Sequence, residues 1–131
     1  LHISYFVNYG YAQLIWMLVG DVMSVELKAL VLEHSGFDAA ISGGNGRTIE
    51  TAIIIHQDGI RDKRTVQIAI LWALGRNKQL SWDILGASVD ESSGRFYESV
   101  LLGIRLTDIS GQVKQGQQTI YFDTTEYMRN K

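Results

Sequence analysis

The chain has 131 residues, enough for one hydrophobic core, and its 46% hydrophobic and 20% charged content is that of a globular domain rather than a disordered one. A net charge of −2 gives no electrostatic reason to expect nucleic acid as a partner, because the basic residues are scattered and the densest group is only Arg61, Lys63 and Arg64. With no cysteine, disulfides, thiolate catalysis and Cys-ligated zinc are excluded; with no proline, turns fall to the 13 glycines and to Asn, Asp and Ser.

The first twenty residues carry no formal charge. Asn8, Gly10, Gln13 and His2 make them a poor membrane span, and they lack the basic start and cleavage site of a signal peptide. Ile3, Phe6, Val7, Tyr11, Leu14, Leu18 and Val22 instead fall at helical spacing, which predicts a helix that packs or binds a partner. The chain opens on Leu and Met23 precedes an acidic helix start. Translation from Met23 would leave residues 1–22 as an apolar extension ahead of a single α+β domain over 23–131.

Ser24 with Glu26 predicts a helix start, Leu27, Leu30 and Val31 a buried stripe, and Gly36 a stop. Ser42-Gly43-Gly44-Asn45-Gly46 reads as a loop, and the Ile53-Ile54-Ile55 run as a short strand within 52–56 or, alternatively, part of a helix. Asp62 is a good N-cap for a helix to about Leu74, buried through Val66, Ala69, Ile70 and Ala73, widened by Ile68 and Trp72, and ended by Gly75. The hydrophobic period then drops to two.

Leu80, Trp82 and Ile84 alternate, Ala87 and Val89 continue in the opposite register, and the slip predicts a bulge at Gly86. Turns are expected over Asp90–Gly94 and Asp108–Gly111. The long second strand puts Phe96, Val100, Leu102, Ile104 and Leu106 on its inner face, and the third adds Ile120 and Phe122. Asp123 and Glu126 have capping-box spacing for a closing helix. The fold expected is α+β: N-terminal helices on a C-terminal three-stranded antiparallel β-meander over roughly residues 79–123, with 52–56 available as a fourth strand.

Chemistry is sparsely signalled. The glycine loop lacks P-loop spacing, so a tight connector is preferred to a phosphate cradle. Glu50 and His56 flank that loop and form a candidate acid–base pair, with Asn45 and Arg47 as further ligand-binding groups. The histidines at positions 2, 34 and 56 lack metal-pair spacing, and no serine sits in a G-x-S-x-G elbow. No metal, cofactor or catalytic residue is therefore assigned. Trp72, Trp82, Phe96 and Phe122 read as core aromatics. Alternation turns Tyr97, Arg105 and Tyr121 to the outer sheet face, where Tyr and Arg favour recognition.

Two segments carry a resemblance. Gly43-Gly44-Asn45-Gly46, with Thr48, Glu50, Ala52 and the isoleucine run, and then Tyr121-Phe122-Asp123-Thr124-Thr125, resemble a family of small uncharacterised bacterial α+β proteins. Its members share a GG[DN]G loop, an [ST]-x-E-x-A-hydrophobic run and a C-terminal YFD strand. The similarity covers about residues 36–127 and departs at Thr124, where an aliphatic residue is usual, and at Tyr127-Met128. It implies a compact bacterial protein and brings no activity. The sequence thus favours a non-enzymatic binding or interaction module, cytoplasmic and acting on a protein partner or on itself. The alternatives are a ligand-binding protein or enzyme using the Gly-rich loop with Glu50 and His56, and an immunity-type accessory protein.

Overall fold

A computed structural model describes residues 24–129. The predicted helix over residues 1–22 lies outside them. The elements run α1 (Ser24–Ser35), β1 (Ile41–Gly43), β2 (Ile53–Ile55), α2 (Lys63–Lys78), β3 (Ser81–Ser92), β4 (Arg95–Thr107), β5 (Val113–Asp123) and α3 (Thr125–Arg129).

The class is α+β, and the sheet is larger than the meander. Strands β3, β4 and β5 pair antiparallel in sequence order, and a β1–β2 hairpin is added beyond β5 to give the order β1-β2-β5-β4-β3. Strand β2 runs parallel to β5, with Ile53 opposite Phe122 and Ile54 opposite Asp123. The sheet is therefore five-stranded and mixed. Strand β1 was hidden because Ser42 and Gly43 also read as the start of the Gly-rich loop. The isoleucine run is strand β2 and contains no helix.

Helices α1 and α2 cover one face. Leu27 and Val31 from α1, and Val66, Ala69, Ile70, Ala73 and Leu74 from α2, meet Ile41, Ile53, Ile55, Val100, Leu102, Ile104, Ile120 and Phe122 in one cluster. Each fully buried Val, Leu, Ile or Phe side chain among them contributes roughly 1.5–3 kcal/mol. Leu30 is only half-buried, and Gly36 ends α1 with φ +80° while its N–H bonds Leu32 O.

Helix α2 starts as expected, with Asp62 accepting the Thr65 N–H at 2.7 Å. It does not end at Gly75 but runs to Lys78, where Gln79 takes the left-handed conformation. Gly75 serves packing instead: a Cβ there would lie 2.9 Å from Trp82 Cδ1 and 3.1 Å from Leu80 O. The apolar stripe turns toward Leu71 and Leu74. Trp72 is 51% exposed rather than core, and it meets Trp82 edge-on at 6.3 Å.

The pairing shifts between Ile84 and Gly86, leaving Leu85 as the extra residue of a bulge. Strand β3 continues through Asp90 and Glu91 to Ser92, and the turn is only Ser93-Gly94, both at positive φ. A two-residue turn of this kind matches the twist of the hairpin. On β4 the inner row holds Val100, Leu102 and Ile104 as expected, but Phe96 is half-buried and Glu98 is buried. Glu98 accepts from Gln67 Nε2 at 2.7 Å and lies 3.2 Å from Lys63 Nζ and 3.0 Å from Arg64 Nη2. Burial alone would raise its pKa, yet these donors hold it below the usual carboxylate value, so an ionised side chain fastens the first turn of α2 to the sheet.

Candidate functional site

The outer face of the sheet carries a row of cross-strand neighbours. Ser42 pairs with Ile54, Ile54 with Asp123, and Asp123 with Tyr97. Because side chains alternate, these four share the face opposite α1 and α2. His56 lies two residues beyond Ile54 and Arg95 two before Tyr97, so both join the same side.

Asp123 anchors this end. Its buried carboxylate accepts from Arg95 Nε at 2.7 Å and from the Thr125 N–H and Oγ1 at 3.0 and 2.5 Å. Burial would raise its pKa, but the Arg95 guanidinium and the two Thr125 donors outweigh it and hold the carboxyl below its ordinary value. The Asp123 side chain thus caps α3, but the capping box is not made. Glu126 reaches away from Asp123: its Oε1 accepts the Gln57 N–H at 3.1 Å and its Oε2 lies 2.6 Å from His56 Nδ1. The hydrogen bond with His56 is the main reason its carboxyl is also held low. His56 Nε2 in turn lies 2.7 Å from Ser42 Oγ. Helix α3 is further tied by Tyr127 OH donating to Arg61 O and Arg129 donating to Gly94 O.

Beside this row the Gly-rich loop forms a tight connector. Gly46 N–H bonds Thr51 O at 2.7 Å, and Gly46 O accepts the Tyr121 N–H at 2.8 Å, extending the pairing along β5. Gly46 has φ +82°, and a Cβ there would lie 2.9 Å from Ile120 Cγ2, so the residue is glycine for two independent reasons.

The loop separates two shallow cavities. One, of about 480 Å³, is lined by Asn45, Arg47, Thr48, Thr51, Gln118, Thr119 and Tyr121. Gln118 is 3% exposed, and its Oε1 is buried without a hydrogen-bond partner among the described residues. The other, of about 400 Å³, is lined by Gly43, Gly44, Ile49, Glu50, Thr51, Ala52, Ile54, Arg95, Tyr97 and Asp123.

The structure therefore divides the residues that the sequence groups. Asn45 and Arg47 share a cavity with Tyr121, Glu50 lines the second cavity with Tyr97, and His56 lines neither. Glu50 and His56 are not brought together; the acid that meets His56 is Glu126, seventy positions along the chain. Arg105 lies on the outer face as expected, beside Asp83 at the rim of a third cavity with Leu85 and Gln115. Sequence reading missed Ser42, Glu126, Gln118, Asp123 and Arg95 as site residues. Only the Asp123–Glu126 spacing marked any of them, and it marked them for another role.

Among the described residues, no three His, Asp or Glu side chains are grouped to hold a metal, and no helix is long and apolar enough to cross a membrane. Comparison with protein-family models, curated proteins and solved structures gives no match. Function has to be read from the site itself.

Proposed function

We propose that this protein is a binding module that takes a small polar ligand in the cavity between the Gly-rich loop and β5. The observation that carries the reading is the polar lining of that cavity, which sets Asn45, Arg47, Thr48 and Thr51 of the loop against Thr119 and Tyr121 of β5. The lining defines the ligand: one guanidinium, three threonines, two carboxamides and a tyrosine, with no acidic side chain. Such groups suit a hydroxyl-rich ligand that is neutral or singly anionic, with Tyr121 offering an apolar wall.

The test is a titration of isotope-labelled protein with mono- and disaccharides and their phosphates. Amide shifts are expected at Gly46, Thr48, Thr119 and Tyr121, with affinity weakened at least tenfold by Tyr121→Ala and Arg47→Ala. Shifts confined elsewhere, or unchanged affinity in both variants, refute it.

A second reading is an interaction surface, supported by the absence of a helical layer over Tyr97, Tyr121 and Arg105 among the described residues. It is checked by sedimentation of the full chain against Tyr97→Lys. A dimer that the substitution dissociates favours self-association, and a monomer in both removes it.

A further inference from the structure

We infer that Ser42, His56 and Glu126 form a nucleophilic relay able to cleave small carboxylic esters. The inference stands apart from ligand binding at the Gln118 cavity, because it uses different residues on the other side of the Gly-rich loop.

The geometry has the two contacts such a relay requires: Ser42 Oγ lies 2.7 Å from His56 Nε2, and His56 Nδ1 lies 2.6 Å from Glu126 Oε2. An ionised Glu126 accepts only from a protonated Nδ1, which leaves the Nε2 lone pair facing the serine hydroxyl. The carboxylate is itself aimed, since its other oxygen accepts the Gln57 N–H at 3.1 Å. Glu126 is thus the positioning residue, while Ser42 and His56 are the catalytic pair. Three separate segments converge here: Ser42 on β1, His56 just past β2, and Glu126 in the first turn of α3.

Two further features suit acyl chemistry. His56 N–H bonds Ala40 O, and Gly44 N–H bonds Ala52 O. Alternation along the antiparallel ladder therefore turns the Gly43 N–H away from β2, to the outside of the strand next to Ser42. That N–H is the donor available to a developing oxyanion. Gly43 has φ +88°, and a Cβ there would meet Ala52 O at 2.5 Å, so this position accepts only glycine. The cavity of about 400 Å³ begins at Gly43 and at Ile54, the strand partner of Ser42, and its lining includes Ile49, Ala52 and Ile54 as apolar surface for a short acyl chain. His56 and Glu126 are 41% and 42% exposed at their side chains, so substrate and water reach them.

In the reaction, Ser42 Oγ bonds the ester carbonyl carbon as its proton passes to His56 Nε2. The C–O bond to the alcohol then breaks, and that proton leaves with the alcohol. Water attacks the acyl-serine, returns a proton through His56 to Ser42 Oγ, and releases the acid. The sum is ester plus water giving acid plus alcohol, with no other reactant.

The experiment treats the full chain with a fluorophosphonate, which phosphonylates an activated serine with loss of fluoride, and maps the adduct by mass spectrometry. Hydrolysis of p-nitrophenyl butyrate is followed in parallel. The expected result is one adduct, on Ser42, with both reactions lost in Ser42→Ala and slowed about 100-fold or more in His56→Gln. Glu126→Gln is expected to lower kcat with KM unchanged, and Glu126→Asp to recover part of it, which a merely structural tie would not show. The inference is overturned by an unlabelled Ser42 in the wild-type chain, by labelling that is equally fast in His56→Gln, or by ester hydrolysis that survives Ser42→Ala. The wild-type labelling decides the matter even if a variant fails to fold.

Discussion

Replacing Asp123 by alanine removes the acceptor of three hydrogen bonds at once: from Arg95 Nε, the Thr125 N–H and Thr125 Oγ1. The Arg95 bond is charge-assisted, a class worth about 1.5–3 kcal/mol. The Arg95 side chain is 43% exposed and regains water when released, so the lower figure of about 1.5 kcal/mol applies. Loss of the helix cap adds about 1 kcal/mol. The Thr125 hydroxyl, buried at 3% exposure, loses its acceptor at a further cost of about 1 kcal/mol. The expected destabilisation is therefore about 3–4 kcal/mol, measured as the shift in urea unfolding followed by tryptophan fluorescence. Asp123→Asn keeps an oxygen for Thr125 but turns an amide donor toward Arg95, and is expected to lose about half as much. A loss below about 1 kcal/mol for the alanine variant would mean that this carboxylate acts no more strongly than an exposed ion pair, and the anchoring role would be wrong.

Gly75→Ala improves helix propensity by about 1 kcal/mol but overpacks against Trp82 and Leu80 by about 1–3 kcal/mol, so a net loss near 1 kcal/mol is expected in the same unfolding assay. Gly46→Ala combines a left-handed backbone penalty of roughly 1–2 kcal/mol with a clash against Ile120, and should lower the urea midpoint more than Gly75→Ala does. Asp123 and Glu98 both have folded-state pKa values below their ordinary ones of 3.8 and 4.5. The stability they contribute is then fully present above those values and is lost as pH falls toward the depressed ones. Urea midpoints measured down an acid series should drop steeply below about pH 4, and less steeply in Asp123→Asn. A flat profile in the wild type would contradict the ionised assignment.

The alternation of Val100, Leu102, Ile104, Ile120 and Phe122 was legible because one buried face imposes a period of two. A bulge was legible, though one residue late at Gly86 rather than Leu85, because a register slip moves every later side chain to the other face. Gly75 misled because glycine ends a helix and also admits a neighbour's indole, and the chain looks the same in either case. Glu98 escaped notice because its burial depends on Lys63, Arg64 and Gln67 arriving from another element. The site was the least legible part. Ser42 reads as the start of a glycine loop until β2 places His56 beside it, and Glu126 is an ordinary first-turn acid until α3 folds back. Local patterns carry no trace of contacts across seventy positions.

The parallel pairing of β2 with β5 also governs how the chain acquires its structure. Strand β2, only three residues long, finds its neighbour at Phe122 and Asp123, after the whole meander. A short hairpin such as β1–β2 is not stable alone, and closing so long a loop is entropically unfavourable until other contacts shorten it. Helix α2 and the meander are thus expected to assemble first, with the hairpin and α3 joining last as one cooperative unit. Amide exchange should show the lowest protection at Ile41–Gly43, Ile53–Ile55 and Thr125–Arg129. During synthesis, Ile53, Ile54 and Ile55 remain without their β5 neighbour until residue 123 has left the ribosome, which makes this apolar run the segment most exposed to misassembly.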